Sequence, residues 1–128
     1  MMSSLNIAAM GLRAADLRLE ASASNLANMQ SSGSTGATGP KPYAPVRVEQ
    51  SSLPGGGVEA KAAPITPASV RQYEPDSPQA DAKGFVAMPN VDMIAEVTNM
   101  VSAKMGFSSS LQVMQVSSDM IKKLFEAN

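Results

Sequence analysis

A leucine recurs every seven residues in the first part of the chain. These leucines are Leu5, Leu12, Leu19 and Leu26. Three places after each of them stand Ala8, Ala15, Ser22 and Met29. A heptad pattern of this kind is typical of a helix that packs lengthwise against another helix. With Ser3 or Ser4 as its N-cap, the pattern predicts a helix from about Ser4 to about Asn28, ended by the Ser- and Gly-rich stretch that follows.

The last part of the chain carries a longer pattern, in which the residues step by fours and threes. It consists of Met93, Val97, Met100, Lys104, Phe107, Leu111, Met114, Ser118, Ile121 and Phe125. Asn90 is a favourable N-cap residue, and Asp92 suits the positive end of a helix dipole. The pattern predicts a helix from about Val91 to about Phe125, roughly 50 Å long at about 1.5 Å per residue.

A second apolar stripe lies on another side of the same predicted helix. Its members are Ile94, Val101, Met105, Val113, Val116, Met120 and Leu124. A pair of helices would bury only one of the two stripes. Gly106 interrupts the helix, where a glycine costs about 1 kcal/mol relative to alanine. It marks either a close helix contact or bend, or a tolerated weak position.

The middle of the chain favours irregular structure, because all nine prolines lie between Pro40 and Pro89 and proline breaks helix interiors. Alternating apolar residues near Val46–Val48 and Val58–Ala62, with a turn-like stretch at 51–57, predict a small hairpin. Residues 64–81 are predicted to be extended and poorly paired. The expected fold is mainly α: a helix in 1–29 and a helix in 90–128 pair as a coiled coil, joined by a Pro/Gly-rich middle, 30–89, with at most one small β-hairpin.

Composition excludes several classes of function. The 128 residues include no Cys and no His, which removes thiol nucleophiles, imidazole acid/base pairs and Cys/His zinc sites. With 10 basic and 11 acidic residues, the chain lacks the basic surface that nucleic-acid binding needs. No apolar run approaches the roughly 20 residues of a membrane span, and the start does not resemble a cleaved secretory signal. We therefore expect no enzyme activity, no cofactor, no nucleic-acid partner and no membrane insertion.

The chain is also poor in the residues that close a small core. It has three Phe, two Tyr and no Trp, against ten Met. Ordering a residue costs about 1–2 kcal/mol, and a helix pair with one stripe uncovered offers little burial to offset that cost. We expect the chain to complete its fold only among neighbouring subunits, in a ring or an open helical tube.

Two stretches of sequence resemble a known family. The motif Ala23-Ser-Asn-Leu-Ala-Asn28 in the first helix is similar to the N-terminal signature of bacterial flagellar axial proteins, the rod and hook group. The stretches at 73–78, 80–81, 84–86 and 88–91, followed by a long helix, resemble a rod protein of that group. This resemblance implies a proximal-rod subunit in the periplasm that transmits motor torque. It also implies export by the flagellar type III apparatus without a cleaved signal, and assembly with its own copies, related rod proteins and other basal-body components.

The heptad patterns and the resemblance together select candidate subunit-interface residues. They are Leu5, Leu12, Leu19, Asn25, Leu26, Asn28, Met93, Val97, Met100, Phe107, Leu111, Met114, Ile121 and Phe125. The two asparagines either fix register or bind backbone at a subunit junction, or bind the last carbonyls of their own helix. Alternative functions are another flagellar axial protein or an exported helical protein that binds a single partner.

Overall fold

The computed structural model describes residues 3–127 as two long helices and two small antiparallel sheets. The elements are α1 Ser4–Asn28, β1 Val46–Ser52, β2 Val58–Pro64, β3 Ser69–Tyr73, β4 Phe85–Pro89 and α2 Met93–Glu126. The two terminal helices are confirmed. The middle holds two strand pairs, so the expectation of at most one small hairpin is wrong.

Helix α1 begins and ends where the sequence predicts. The Oγ atom of Ser3 accepts a hydrogen bond from the backbone N–H of Asn6 at 3.3 Å, which is the arrangement of an N-cap serine. The last helical residue is Asn28, and the Ser- and Gly-rich stretch follows it.

The N-cap of α2 is Asp92, and the expectation that Asn90 would cap this helix is wrong. Oδ1 of Asp92 accepts hydrogen bonds from the backbone N–H groups of Ile94 and Ala95, at 3.0 and 3.2 Å. Asn90 instead donates its side-chain amide to the carbonyl of Pro67 at 2.9 Å. The chain leaves β4 at Pro89 in an extended path, so the helix can begin only two residues later than expected.

The two helices pack against each other in antiparallel order and in a single register. Four contacts define it: Asn25 with Glu96, Arg18 with Ser102, Gly11 with Ser110, and Ser4 with Ser117. The residue numbers in each pair add up to 120 or 121. The most deeply buried side chains of this contact are small. Ala8, Ala15, Ser22 and Ala103 are buried, whereas the heptad leucines of α1 are half-buried.

The predicted hairpin is confirmed as the pair β1–β2. Its strands are aligned from Val46 opposite Pro64 to Ser52 opposite Val58. Gly56 and Gly57 form the turn with φ of +89° and +90°, a region that glycine enters at little cost. Both glycines lie close to α1, near Ile7 and Met10, so this hairpin packs on the side of α1 that carries Ala14 and Ala21.

The second strand pair corrects the prediction for residues 64–81. Strand β3 pairs with β4, with Tyr73 opposite Phe85 and Ser69 opposite Pro89. The prolines of this region flank β3 without interrupting it. The other edge of β4 is bound by Gly33, which exchanges two backbone hydrogen bonds of 2.8 and 2.9 Å with Ala87. Strand β4 therefore lies between two partners, and its Val86 is fully buried.

The interior of residues 3–127 is made almost entirely of small residues. Apart from prolines and Val86, the apolar residues buried there are Ala8, Ala14, Ala15, Ala21, Ala87 and Ala103. Neither α1 nor α2 is apolar enough over a sufficient length to cross a membrane. Because an alanine removes little apolar surface from water, the single chain gains little stability from burial.

Candidate functional site

Helix α2 carries a set of apolar side chains that α1 does not bury and that are open to solvent from the start of the helix to its end. The seven residues of this set are Ile94, Val101, Met105, Val113, Val116, Met120 and Leu124, each between 48% and 79% exposed. We call this set the outer stripe. The sequence predicted that a helix pair would leave one stripe uncovered, and this is confirmed. Single apolar side chains on a surface are ordinary, but a continuous exposed set usually marks an interaction site.

The structure divides the predicted interface residues into three groups. Exposed on α2 are Met93, Val97, Leu111, Ile121 and Phe125. Half-buried are Leu5, Leu12, Leu19, Leu26, Asn28, Met100, Phe107 and Met114. Asn25 is buried. The exposed group is free to contact another subunit, and its role in an interface remains a prediction.

The contact surface of α2 toward α1 includes residues that the heptad analysis missed. Glu96, Ala103, Ser110 and Ser117 face α1, at steps of seven residues. They share this side with Met100, Phe107 and Met114 of the predicted pattern. Helix α2 is therefore rotated slightly about its own axis relative to the predicted orientation. As a result, Val97 and Leu111 lie at the surface. A search for small residues at heptad spacing, rather than large ones, would have found this side.

Two shallow grooves accompany the exposed apolar surface. One, of about 400 Å³, runs along α2 and is lined by Val97, Val101 and Met105 with two polar neighbours. The other, of about 480 Å³, lies where Ile7 of α1, the turn of the first hairpin and Val113 of α2 meet. Both are open and mostly apolar, as suits contact with another helix rather than enclosure of a small molecule.

Asn25 joins three elements of the fold through its side-chain amide. Its Nδ2 donates to the Val46 carbonyl at 2.7 Å and to Oε1 of Glu96 at 3.0 Å. Its Oδ1 accepts from the Val46 N–H at 3.1 Å and from the Tyr43 hydroxyl at 3.0 Å. The residue is 1% exposed. Asn25 thus binds backbone as the sequence suggested, but within its own chain.

Asn28 makes a different contact from Asn25. Its Nδ2 donates to the carbonyl of Ser24 in its own helix at 2.9 Å, which is the simpler of the two interpretations left open by the sequence. A role for either asparagine at a subunit junction remains a prediction.

Asp81 fixes the loop that leads into β4. Its Oδ1 accepts from the backbone N–H groups of Phe85 and Lys83, at 3.0 and 2.8 Å. Its Oδ2 accepts from the hydroxyl of Thr35 and from the guanidinium of Arg71, each at 3.0 Å. Led by the Phe85 N–H, these donors lower the pKa of Asp81 to about 2. The loop is therefore organised around an ionised carboxylate.

Comparison with known proteins places the chain among flagellar components. Residues 82–127 match the family model described as the C-terminal region of the flagellar basal body rod FlgEFG proteins. The flagellar basal-body rod protein FlgC of Escherichia coli O6:H1 is 39% identical, over 93% of this chain and 92% of its own length. The FlgC proteins of Salmonella typhimurium and Yersinia enterocolitica are each 38% identical, over 93% and 95% of this chain and 92% and 96% of their own lengths.

This similarity extends over nearly the whole of both chains and therefore includes both long helices and the middle segment. It agrees with the residues that suggested an axial protein: the motif at 23–28 in α1 and the stretch that runs through β4 into α2. The chain belongs to the FlgC family of flagellar basal-body rod proteins and is a structural subunit of the flagellar rod.

Proposed function

We propose that this rod subunit polymerises through the outer stripe of α2, and that the α1–α2 pairs form a coiled-coil inner layer of a hollow tube. The single observation that supports this most strongly is the exposure of the stripe on a helix whose other side is already paired with α1. In this arrangement the two strand pairs of the middle lie outside the helical layer. The tube transmits torque and encloses the export channel.

The energetics favour a neighbouring helix as the cover for the stripe. Burying one large aliphatic side chain contributes about 1.5–3 kcal/mol. For seven such side chains the gross gain is on the order of 10 kcal/mol, before the costs of association. The alanine-rich interior of the single chain gains far less per residue. Neighbours would therefore supply much of the stability of the assembled subunit.

The partners in this proposal are copies of the same chain, related rod proteins and adjacent basal-body components, assembled in the periplasm. We further propose that the chain leaves the cell interior through the flagellar type III apparatus, unfolded and without a cleaved signal. The small interior supports this proposal, because a chain with little burial of its own is easily held unfolded.

The assembly surface is tested by placing a charge on the stripe. Val101 and Met105 are 56% and 67% exposed, so Val101→Glu and Met105→Glu should leave the fold of the chain intact. We expect each variant to be produced normally, to be absent from isolated basal bodies and to abolish swimming. Ala62→Glu, on the exposed side of β2, is the matched control and should swim. Normal swimming of both stripe variants would contradict the proposal.

Dependence of folding on assembly is tested by hydrogen exchange. We expect weak protection of α1 and α2 in a dilute monomer and strong protection in the assembled state. Full protection of both helices in the dilute monomer would show that the chain does not need its neighbours.

A further inference from the structure

Methionine is the most readily oxidised side chain of this protein. The chain contains ten methionines and no cysteine, the other side chain that peroxides oxidise readily. A hydroperoxide converts a methionine thioether to the sulfoxide most easily where the sulfur is accessible to solvent. The positions of the methionines therefore decide which surfaces of the chain such an oxidant changes first.

Three methionines of residues 3–127 are exposed, and all three lie on α2. Met93 is 53% exposed, Met105 67% and Met120 61%. Met105 and Met120 belong to the outer stripe. The remaining methionines of this range are half-buried: Met10, Met29, Met88, Met100 and Met114. An oxidant in solution therefore reaches the stripe more easily than the side of α2 that packs against α1.

Both stripe methionines have apolar neighbours. Met105 lines the groove of about 400 Å³ on α2 together with Val97 and Val101. Met120 lies about one helical turn before Leu124, which is 67% exposed. A subunit that covers the stripe therefore brings each sulfur into an apolar contact, for which an uncharged and flexible thioether is well suited.

Oxidation by hydrogen peroxide transfers one oxygen atom to the sulfur. The sulfur lone pair attacks one peroxide oxygen, the O–O bond breaks and an S–O bond forms, while the other oxygen leaves with both hydrogens as water. The sulfur is oxidised by two electrons and the peroxide is reduced by two. The product carries a strongly polar S–O group in place of an apolar thioether.

The added oxygen affects assembly more than folding. In the single chain Met105 and Met120 are exposed, so their sulfoxides stay hydrated and the pair of helices is retained. Beneath the apolar surface of a neighbour the oxygen loses its water. A buried polar group without a partner weakens association about 5- to 100-fold.

We propose that Met105 and Met120 are oxidation sites at which a hydroperoxide blocks the assembly of free subunits. The proposal rests on the proposed function, because it requires the outer stripe to be the assembly surface, and it adds a chemical control of that surface. Subunits already in the rod have both sulfurs covered and keep their contacts. Oxidation therefore removes subunits from the supply without taking the rod apart.

The test follows the chain in cells that lack their own copy of this protein. The chain is produced from an inducible promoter with and without sublethal hydrogen peroxide. Its incorporation into isolated basal bodies is measured relative to the total amount of chain, and we expect peroxide to reduce this incorporation several-fold. Mass spectrometry should find sulfoxide at Met105 and Met120 in the free pool, and several-fold less of it in the basal bodies.

A pair of matched double variants assigns the effect to these two sites. Met105→Leu with Met120→Leu keeps the stripe apolar but cannot form the sulfoxide, so peroxide should no longer reduce its incorporation. The control, Met100→Leu with Met114→Leu, removes two half-buried methionines from the side of α2 that packs against α1. It should stay as sensitive to peroxide as the parent. Each variant is compared with itself in the absence of peroxide.

Three outcomes would each overturn the proposal. The first is equal sensitivity of the two double variants to peroxide. The second is an equal fraction of sulfoxide at Met105 and Met120 in the free and the incorporated chain. The third is a free pool without sulfoxide at either site at any sublethal dose.

The outcomes also separate this proposal from the proposed function. If the stripe variants Val101→Glu and Met105→Glu block swimming but chains oxidised at both sulfurs are incorporated normally, the rod proposal stands and the control by oxidation is wrong. If the stripe variants swim normally but only Met105→Leu with Met120→Leu resists peroxide, the oxidation sites are real and the proposed use of the stripe is wrong.

Discussion

The side-chain amide of Asn25 in α1 donates a hydrogen bond to the carboxylate of Glu96 in α2, with Nδ2 and Oε1 3.0 Å apart. Both side chains are buried. The same amide exchanges two hydrogen bonds with the backbone of Val46, the first residue of β1. Pairing of the helices and docking of the first hairpin are therefore linked through one side chain.

Replacing this amide should destabilise the fold more than replacing the other asparagine of the same motif. Asn25→Ala leaves Glu96 and the Val46 backbone without their partner, and such a loss costs about 1–3 kcal/mol per buried group. Asn28→Ala loses one bond within its own helix and should cost less than about 1 kcal/mol. The urea midpoint of helix loss is measured by circular dichroism at a concentration where the parent protein is fully helical. Equal midpoints for the two variants would contradict this account.

Substitution by alanine should have different effects at the two glycines of helices α1 and α2, Gly11 and Gly106. A Cβ on Gly11 would lie 2.7 Å from Oγ of Ser110, whereas a Cβ on Gly106 would lie 4.0 Å from Cβ of Ala15, which is ordinary contact. Gly106→Ala should therefore stabilise α2 by up to about 1 kcal/mol. Gly11→Ala should gain less than this or lose stability, because of crowding.

The crowding at Gly11 can be checked by removing the hydroxyl that causes it. Adding Ser110→Ala to Gly11→Ala leaves Cβ of residue 110 at 3.7 Å and should recover the stability that the single variant lacks. Thermal unfolding followed by circular dichroism measures both effects. A single Gly11→Ala variant that gains as much stability as Gly106→Ala would show that the helices are not in close contact there.

Placing a charge at Leu111 should prevent assembly without unfolding the chain. Leu111 is 41% exposed on α2, so Leu111→Asp should retain helical content while abolishing incorporation into the rod and swimming. Leu19 in α1 is half-buried, so Leu19→Asp should also abolish swimming but should lower helical content as well. Circular dichroism and basal-body isolation together distinguish the two variants. Swimming with either substitution would remove that residue from the predicted subunit-interface residues.

The loop around Asp81 should weaken in acid. Because folding lowers the pKa of this carboxyl from 3.8 to about 2, the folded state favours the ionised form. Its contribution to stability is complete above about pH 5 and is lost as the pH falls from about 4 through 2. Asp81→Asn should lower protection of the Phe85 amide at neutral pH, and this difference from the parent should shrink below pH 4. Asp76→Asn, in the same loop, is the control. A difference that does not depend on pH would contradict the role of the charge.

The elements that the sequence predicted correctly are those whose patterns lie within a single short stretch of the chain. Helix α1 has a serine cap and a regular heptad pattern, and its bounds agree with the structure. The first hairpin follows from short alternation on each side of a glycine turn. Strand β3 was missed because Val70 and Tyr73 remain exposed and the strand depends on pairing with β4, whose residues are distant in sequence.

The facing sides of the helices were harder to predict than the helices themselves. The heptad pattern of α1 already included Ala8, Ala15 and Ser22, which are buried, but for α2 large apolar residues were chosen as the facing side. A surface of small residues is best filled by other small residues at close approach, so Ala103 and Ser110 lie inside the pair and Leu111 lies outside. The partners of Asn25 come from three separate segments, and no local pattern in the sequence indicates that meeting point.

The contact of α1 and α2 through small side chains places many of the bulky residues of α2 outside the fold of the single chain. Substitutions in the outer stripe therefore have little effect on the stability of the isolated subunit. They are expected to be selected against only through their effect on assembly with neighbouring subunits. In a library of stripe variants, polar and apolar substitutions should give similar yields of protein. When the same library is selected for swimming, most of the polar substitutions should be lost.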